Sequence, residues 1–368
     1  MSFEIAVGCN LRKSPFFDAT VADGVKSFSV YNHVLAPAHF GDPLTHYHAL
    51  FDSVVMWDVA CERQVELLGP DAGKLASYLT TRDLAGTVVG QGRYVPLCDY
   101  DGYLINDPVL LKLSDDRIWL SIADSDVLLW AQGIGAERGL DVKVSEPDVS
   151  PLGVQGPKAD DVVASLFGDW VRDLKYFWFR ETDLDGIPVL LSRSGWSKQG
   201  GFELYLRDGS RGSELYQRVK DAGKPFGIVP GAPSDIERVE SGLVSYGADA
   251  RYGVNPYEVG LGSFVHLQRD DEFVGKAALA RIKEEGIKRR RVGFVIDGGR
   301  INGIEDWQDV MLNGELIGTI TEAVYSPRLE KNIAVGMLAA EVADDASGLR
   351  ATLDGSERSV SVQALPFA

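Results

Sequence analysis

Residues 65–79 read VELLGPDAGKLASYL, and residues 152–167 read LGVQGPKADDVVASLF. Each stretch is a β-favouring run, then Gly-Pro-x-Ala, then apolar residues at helical spacing. Proline is tolerated in a first helical turn because its missing N–H has no partner there, and the glycine before it permits a tight entry. Both stretches therefore predict a strand, a turn and an amphipathic helix. Each leads on to an Arg-Asp-Leu, at 82–84 and 172–174, and then to a hairpin. Strand–turn–helix is a common pattern by itself. The shared order nevertheless predicts two related α/β units with antiparallel sheets in the first two-thirds of the chain.

The hairpins follow from local alternation. LINDPVLLKL (104–113) and RIWLSI (117–122) flank the polar turn Ser114-Asp115-Asp116, and IPVLLSRS (187–194) precedes GFELYL (201–206) across the loop Gly195–Gly200. ELYQRVKDA (214–222) has helical periodicity and stops at Gly223. From about residue 288 the character changes. KRRRVGFVIDGG (288–299), DVMLNGELIGTITEAVYSP (309–327) and NIAVGML (332–338) are short strands with Gly and Asn turns. They predict a separate β-rich domain, entered through the helix-like GKAALARIKEEG (275–286).

Composition excludes several function classes. The 368 residues hold 37 Lys and Arg against 54 Asp and Glu, a formal charge of −17. That balance opposes sequence-independent nucleic-acid binding, which depends on neutralising phosphates. No apolar run approaches the roughly 20 residues of a membrane helix. Met1–Asn10 has no basic start and carries Glu4 in its apolar stretch, so it does not read as a secretory signal. Cys9, Cys61 and Cys98 lack metal or disulfide spacing and suit a reducing cytoplasm.

Familiar catalytic signatures are absent: no GxxxxGK[ST], no GxGxxG after a strand, no HExxH. Gly195-Trp196-Ser197-Lys198-Gln199 misses a nucleophile elbow because Gln199 stands where glycine is needed. His46-Tyr47-His48 would point two rings to one face if it lay on a strand, but no further ligand pattern lies near it, and no metal is expected. Lys288–Arg291 reads as the solvated start of a strand, with an anion contact the lesser alternative. The acids are more informative. Asp107 and Glu203 each interrupt an apolar strand, and an acid so placed must be paired, solvated at a cleft or functional. Alternation puts Glu203 and Tyr205 on one face and Phe202 and Leu204 on the other. Trp196 lies in a Ser/Lys/Gln/Gly loop, which is not core composition, so its ring is available to stack on a planar group or face a cation.

At this point the chain resembles the folate-binding aminomethyltransferases, represented by the T-protein of the glycine cleavage system. The resemblance runs through Trp57-Asp58-Val59, Leu68-Gly69-Pro70-Asp71-Ala72, Gln91-Gly92-Arg93-Tyr94, Gly102–Asp107, Gly200-Gly201-Phe202-Glu203, Arg238–Leu243, Asn255–Leu261, Phe273–Lys276 and Ser326–Gly336, in the family's order. Within the family it is most similar to the branch of dimethylsulfoniopropionate demethylases, through Ser29–His33, Trp57–Gln64, Ile105–Pro108, Ser192–Glu203 and Ile236–Leu243. Three positions depart from the T-proteins. Asn106 replaces the first of two acids, Asp107 matching the second; Gly195–Gly200 replaces a Tyr-Thr-Gly-Glu-Asp-Gly loop; and Ser234 stands where an arginine helps hold folate.

The resemblance implies an α+β fold of three domains in a cloverleaf. These would be 1–52 with 151–274, then 53–150, then a β-barrel-like domain at 275–368. It implies tetrahydrofolate as methyl acceptor and a small methylated substrate, with no nucleic acid or membrane partner and a homodimer as the expected assembly. Asp107 is the implied catalytic residue. Tyr94, Trp119, Glu203, Trp196 and Ser234 are the expected folate contacts, with Glu203 on the pterin's amino and N–H edge. Tyr31, Trp178 and Trp196 are the expected substrate aromatics. A sulfonium methyl is already activated, since its leaving group departs as a neutral thioether, so proximity and alignment carry most of the rate. Aromatic faces hold such a cation without competing for the methyl group. Two other readings stay open: a folate-dependent O- or N-demethylase, which needs an acid such as Asp107 or Glu62 near the methyl group, and a folate-binding protein without turnover.

Overall fold

The computed structural model describes residues 8, 10–251, 253–304, 306–343 and 347–368. Cys9 and most of the N-terminal stretch read above lie outside them. Contacts divide the chain into two compact units. One comprises the chain through Gly73 with Thr87–Arg93 and Val109–Ser234, and the other comprises Lys74–Gly86, Tyr94–Pro108 and Asp235–Ala368.

Both Gly-Pro turns fold as their sequences predict. Strand Gln64–Leu68 turns into helix Ala72–Leu79, and strand Ser150–Gln155 into helix Ala159–Phe167. Gly69 (φ +141°) and Gly156 (φ +123°) occupy equivalent places, each accepting from the residue three along (Ala72 N–H and Ala159 N–H, both 3.0 Å). A Cβ on Gly69 would lie 2.6 Å from the Asp141 carbonyl, and one on Gly156 2.8 Å from the Ser53 carbonyl. Conformation and space both demand glycine there.

The first unit is built on a six-stranded sheet in the order Phe179–Leu184, Ile187–Ser192, Gly201–Leu206, Ser150–Gln155, Val54–Asp58, Ile228–Gly231. All its pairs are antiparallel except the last. Met56, Leu152, Val154, Phe202 and Leu204 on one face share a buried core with Val162, Val163, Leu215, Tyr216 and Val219 of helices Ala159–Phe167 and Gly212–Gly223. Each such aliphatic side chain contributes about 1.5–3 kcal/mol by leaving water. The opposite face carries Trp57, Gly153, Glu203 and Ser192 in one register row. A second sheet, ordered Lys143–Ser145, Gln64–Leu68, Arg117–Ser121, Val109–Lys112, Gly92–Tyr94, meets that face through Leu111 and Trp119, which cluster with Phe179, Leu190 and Tyr205.

Strand Val54–Asp58, at the start of the 53–150 segment, lies inside the six-stranded sheet, between Ser150–Gln155 and the edge strand Ile228–Gly231. All five of its residues are buried, and such a strand needs partners on both edges. The strand on which His46 and His48 would share a face does not form. His46 and His48 lie on helix Pro43–Asp52, where a two-residue step turns side chains apart, and His46 is buried while His48 is exposed.

In the second unit Arg289–Ile296, Lys331–Ala339, Glu315–Ser326, Gln308–Leu312, Leu349–Leu353 and Ser356–Gln363 close a barrel around Phe294, Ile320, Leu338 and Val360. The basic run at its start faces inward more than expected. Arg291 bonds Asp249 (2.8 Å) and the carbonyls of Gly242 and Leu243 (both 2.9 Å), and Arg289 pairs with Glu258. Among the described residues no helix is long and apolar enough to cross a membrane.

Candidate active site

Glu203 anchors the first group of candidate residues. Its strand is buried throughout, and its side chain emerges on the sheet face away from the helical core, with Tyr205 beside it as alternation requires. Oε2 accepts from the Ser194 hydroxyl (2.5 Å) and from the Tyr205 hydroxyl (2.9 Å). The Ser192 hydroxyl lies 2.8 Å from that of Ser194. Since Ser194 has one proton to give, Ser192 donates to Ser194 and Ser194 to Glu203. Among the described residues both donors therefore sit on one oxygen, and Oε1 is the carboxylate's remaining acceptor. Burial pushes the Glu203 carboxyl above the usual carboxylate range, with the two hydroxyls opposing the shift.

Trp196 is partly buried in the loop that follows Ser194. Gln155 holds this loop, donating from Nε2 to the carbonyls of Ser194 (3.0 Å) and Phe202 (3.2 Å) and accepting the Ser197 hydroxyl at Oε1 (2.9 Å). Trp178, also partly buried, precedes strand Phe179–Leu184, and its carbonyl accepts from the Arg193 N–H (2.9 Å). Its neighbour Phe177 has φ +61°, an unusual conformation for a bulky residue. Tyr31 ends strand Ser27–Tyr31. The turn after it is fixed by Asn32, whose buried amide donates to the carbonyls of Cys61 (3.0 Å) and Ala123 (3.0 Å). Gln155, Ser194 and Asn32 are the positioning residues that sequence reading missed. Local signals existed in Gln155-Gly156-Pro157 and in the Asn-His turn, but not the partners. Ser234 follows strand Ile228–Gly231.

Trp119 is a correction. Its ring is 0 % exposed, its N–H donates to Glu66 (2.9 Å), and the Arg117 and Arg207 guanidiniums lie over its faces. A fully enclosed indole whose donor is already satisfied has no surface left for a folate.

Asp107 anchors the second group. The strand Leu104–Asn106 stops before it because Pro108 offers no N–H and restricts the residue preceding it. The Tyr94 hydroxyl donates to Asp107 Oδ2 at 2.7 Å, and the Asp107 N–H donates to the fully buried Asn106 side chain at 3.0 Å. Burial pushes the Asp107 carboxyl up to about 7, against the lowering effect of Tyr94, with the Asp249 charge adding to the rise. Tyr94 packs edge-on against Phe264 (5.2 Å between ring centres), and its carbonyl accepts from Arg82 (2.9 Å). Such a carboxyl exchanges a proton near neutral pH.

The sequence matches the family models for the GCVT N-terminal domain over residues 16–269 and the glycine cleavage T-protein C-terminal barrel domain over residues 289–368. The chain belongs to the glycine cleavage T-protein family. It is 43% identical over 328 residues to a dimethylsulfoniopropionate demethylase, DmdA, of Ruegeria pomeroyi, covering 89% of each chain. It is 31% identical over 341 residues to an aminomethyltransferase of Alkaliphilus oremlandii, covering 90% of this chain and 91% of that relative. The crystal structure of glycine cleavage system aminomethyltransferase T from Bartonella henselae superimposes with a TM-score of 0.87 at 23% identity, over 97% of this chain and 98% of that one. The expected family, the mixed α/β fold with antiparallel sheets and the C-terminal barrel are thus borne out.

Proposed function

We propose that this T-protein family member is a tetrahydrofolate-dependent methyltransferase. It removes a methyl group from dimethylsulfoniopropionate, giving 3-(methylthio)propanoate and 5-methyltetrahydrofolate. The observation that carries the folate half is Glu203, a buried carboxylate with one oxygen fixed by two hydroxyls and the other left as an acceptor. A pterin edge offers an amino group and a ring N–H, the donors such a carboxylate needs. The 43% identity to the Ruegeria demethylase over 89% of this chain supports the donor.

Tetrahydrofolate, when bound, would supply the N5 methyl acceptor, with the donor leaving as a neutral thioether and the N5 proton being released. Asp107 in its ionised form is suited to take up a proton at neutral pH, as its position near 7 permits. Tyr94 orients the accepting carboxylate. Tyr31, Trp178 and Trp196 face the sulfonium and keep water from it. The buried free thiols Cys61 and Cys98 suit a reducing compartment, and we place the reaction in the cytoplasm. We also retain the reading of three modules, with Val54–Asp58 assigned to the first.

The test is to incubate the protein with tetrahydrofolate and dimethylsulfoniopropionate, a methyl ether or dimethylglycine in parallel, and to measure 5-methyltetrahydrofolate. Turnover only with the sulfonium supports the proposal. Tight folate binding without sulfonium turnover removes the donor assignment, and turnover of the ether or amine replaces it.

A further inference from the structure

We infer that Gln155 is a positioning residue that couples the folate-holding carboxylate to the substrate-facing loop. The inference rests on the proposed roles of Glu203 and Trp196. Gln155 ends strand Ser150–Gln155, opposite Gly201 in the register. Its amide makes three bonds, each with a different consequence. The bond to the Ser194 carbonyl fixes the residue whose hydroxyl bonds Glu203. The bond to the Phe202 carbonyl fixes the residue before Glu203. The bond from Ser197 fixes the residue after Trp196. Only a carboxamide can serve here, because two partners are acceptors and the third is a donor.

The loop is seated directly on this amide. A Cβ on Gly195 (φ +152°) would lie 2.1 Å from the Gln155 Nε2 and Oε1 atoms. One on Gly201 (φ +143°) would lie 2.3 Å from the Val154 carbonyl and 2.8 Å from Gln155 Nε2. The Gly156 N–H adds a bond to the Gly200 carbonyl at 3.0 Å. Gln155, Ser194 and Ser197 are all buried, so water does not readily replace a lost bond. Gln155 thus sets the loop's position from both ends and transmits it to Glu203 through Ser194.

Two variants separate the branches. Ser197→Ala removes the bond to Gln155 beside Trp196, together with the longer Gln199 N–H contact inside the same loop (3.4 Å), and leaves the Gln155 bonds to Ser194 and Phe202 in place. Donor KM should rise about tenfold while the tetrahydrofolate Kd stays within about twofold, with faster amide exchange over residues 195–200 in the ligand-free protein. Gln155→Met keeps the shape and removes all three bonds. It should raise both the donor KM and the folate Kd by about tenfold or more. Wild-type donor KM in Ser197→Ala, or wild-type folate Kd in a folded Gln155→Met, overturns the coupling. If Gln155→Met does not fold, Ser197→Ala still decides. A wild-type protein that binds folate but leaves the donor unchanged defeats the substrate reading instead. Exchange and folate affinity need no donor and judge the coupling separately.

Discussion

The Tyr94 hydroxyl donates to Asp107 at 2.7 Å, and this bond works against the burial that lifts the carboxyl to about 7. Removing it leaves burial less opposed. Tyr94→Phe should therefore raise the Asp107 pKa further, by about one unit. If the ionised carboxylate takes the proton, the acid limb of the kcat/KM profile moves to higher pH. The loss of rate at pH 7 should then be largely recovered near pH 9. Asp107→Asn should lower kcat by about 10²–10⁴-fold at every pH, with folate affinity kept. An unshifted limb in Tyr94→Phe would show that the pair only orders structure.

The same burial has a cost in stability, and its sign is fixed. The folded Asp107 pKa lies above the usual carboxylate value, so ionisation above that value penalises the native state. Below about pH 4 the carboxyl is protonated folded and unfolded alike, and the penalty vanishes. Asp107→Asn should accordingly be more stable than wild type at pH 8, by on the order of 2 kcal/mol after allowing for the residue's partial exposure. The gain should fade as pH falls through the folded pKa towards 4. Thermal melts across that range test it, and a gain that grows on acidification would contradict the burial argument.

Glu203 should behave differently. Glu203→Gln keeps the size and gives up the charge that accepts two ligand donors, so folate Kd should weaken by about 10²-fold. Trp196→Ala should raise donor KM by roughly 10-fold, the range of a partly desolvated cation–π contact, and leave folate affinity near wild type. Isothermal titration with tetrahydrofolate and steady-state kinetics with the sulfonium separate the two. A Trp196→Ala variant that loses folate rather than donor would move that ring to the folate side.

What the sequence revealed follows the range of the interactions. The two Gly-Pro turns were legible because a glycine's φ and a proline's missing N–H act locally. Asp107 and Glu203 were legible because an acid in an apolar run is anomalous without any partner being known. Gln155 and Asn32 were not, since their partners lie 39–47 and 29–91 residues away. Trp119 was misread for the same reason. Whether an aromatic on a strand faces a ligand or a second sheet depends on Glu66, 53 residues away, and on the clustering of Leu111 with Tyr205.

That reassignment of Trp119 has its own consequence. Trp119→Phe keeps most of the apolar volume but deletes the N–H that satisfies Glu66, leaving the carboxylate with Arg117. Stability should fall by about 1–3 kcal/mol in urea titration, while kcat and both KM values stay within about twofold. A selective rise in folate KM would restore the residue to the folate pocket.

The paired turns yield the last prediction. Alanine at Gly69 or Gly156 meets a backbone carbonyl at 2.6 or 2.8 Å and must also adopt φ near +141° or +123°. Neither carbonyl can swing aside as a flexible side chain would. Each substitution should therefore cost about 2–4 kcal/mol, the range of strained backbone combined with overpacking. Gly186 is the control: its φ of +87° is also left-handed, but nothing lies within 4 Å of an added Cβ. Gly186→Ala should cost only about 1 kcal/mol, from conformation alone. Chemical denaturation of the three variants measures the difference. If the two turns are equivalent copies of one device, Gly69→Ala and Gly156→Ala should lose similar amounts, both well above Gly186→Ala. A Gly156→Ala variant no worse than the control would mean that the second turn relaxes freely, and the equivalence would be confined to sequence.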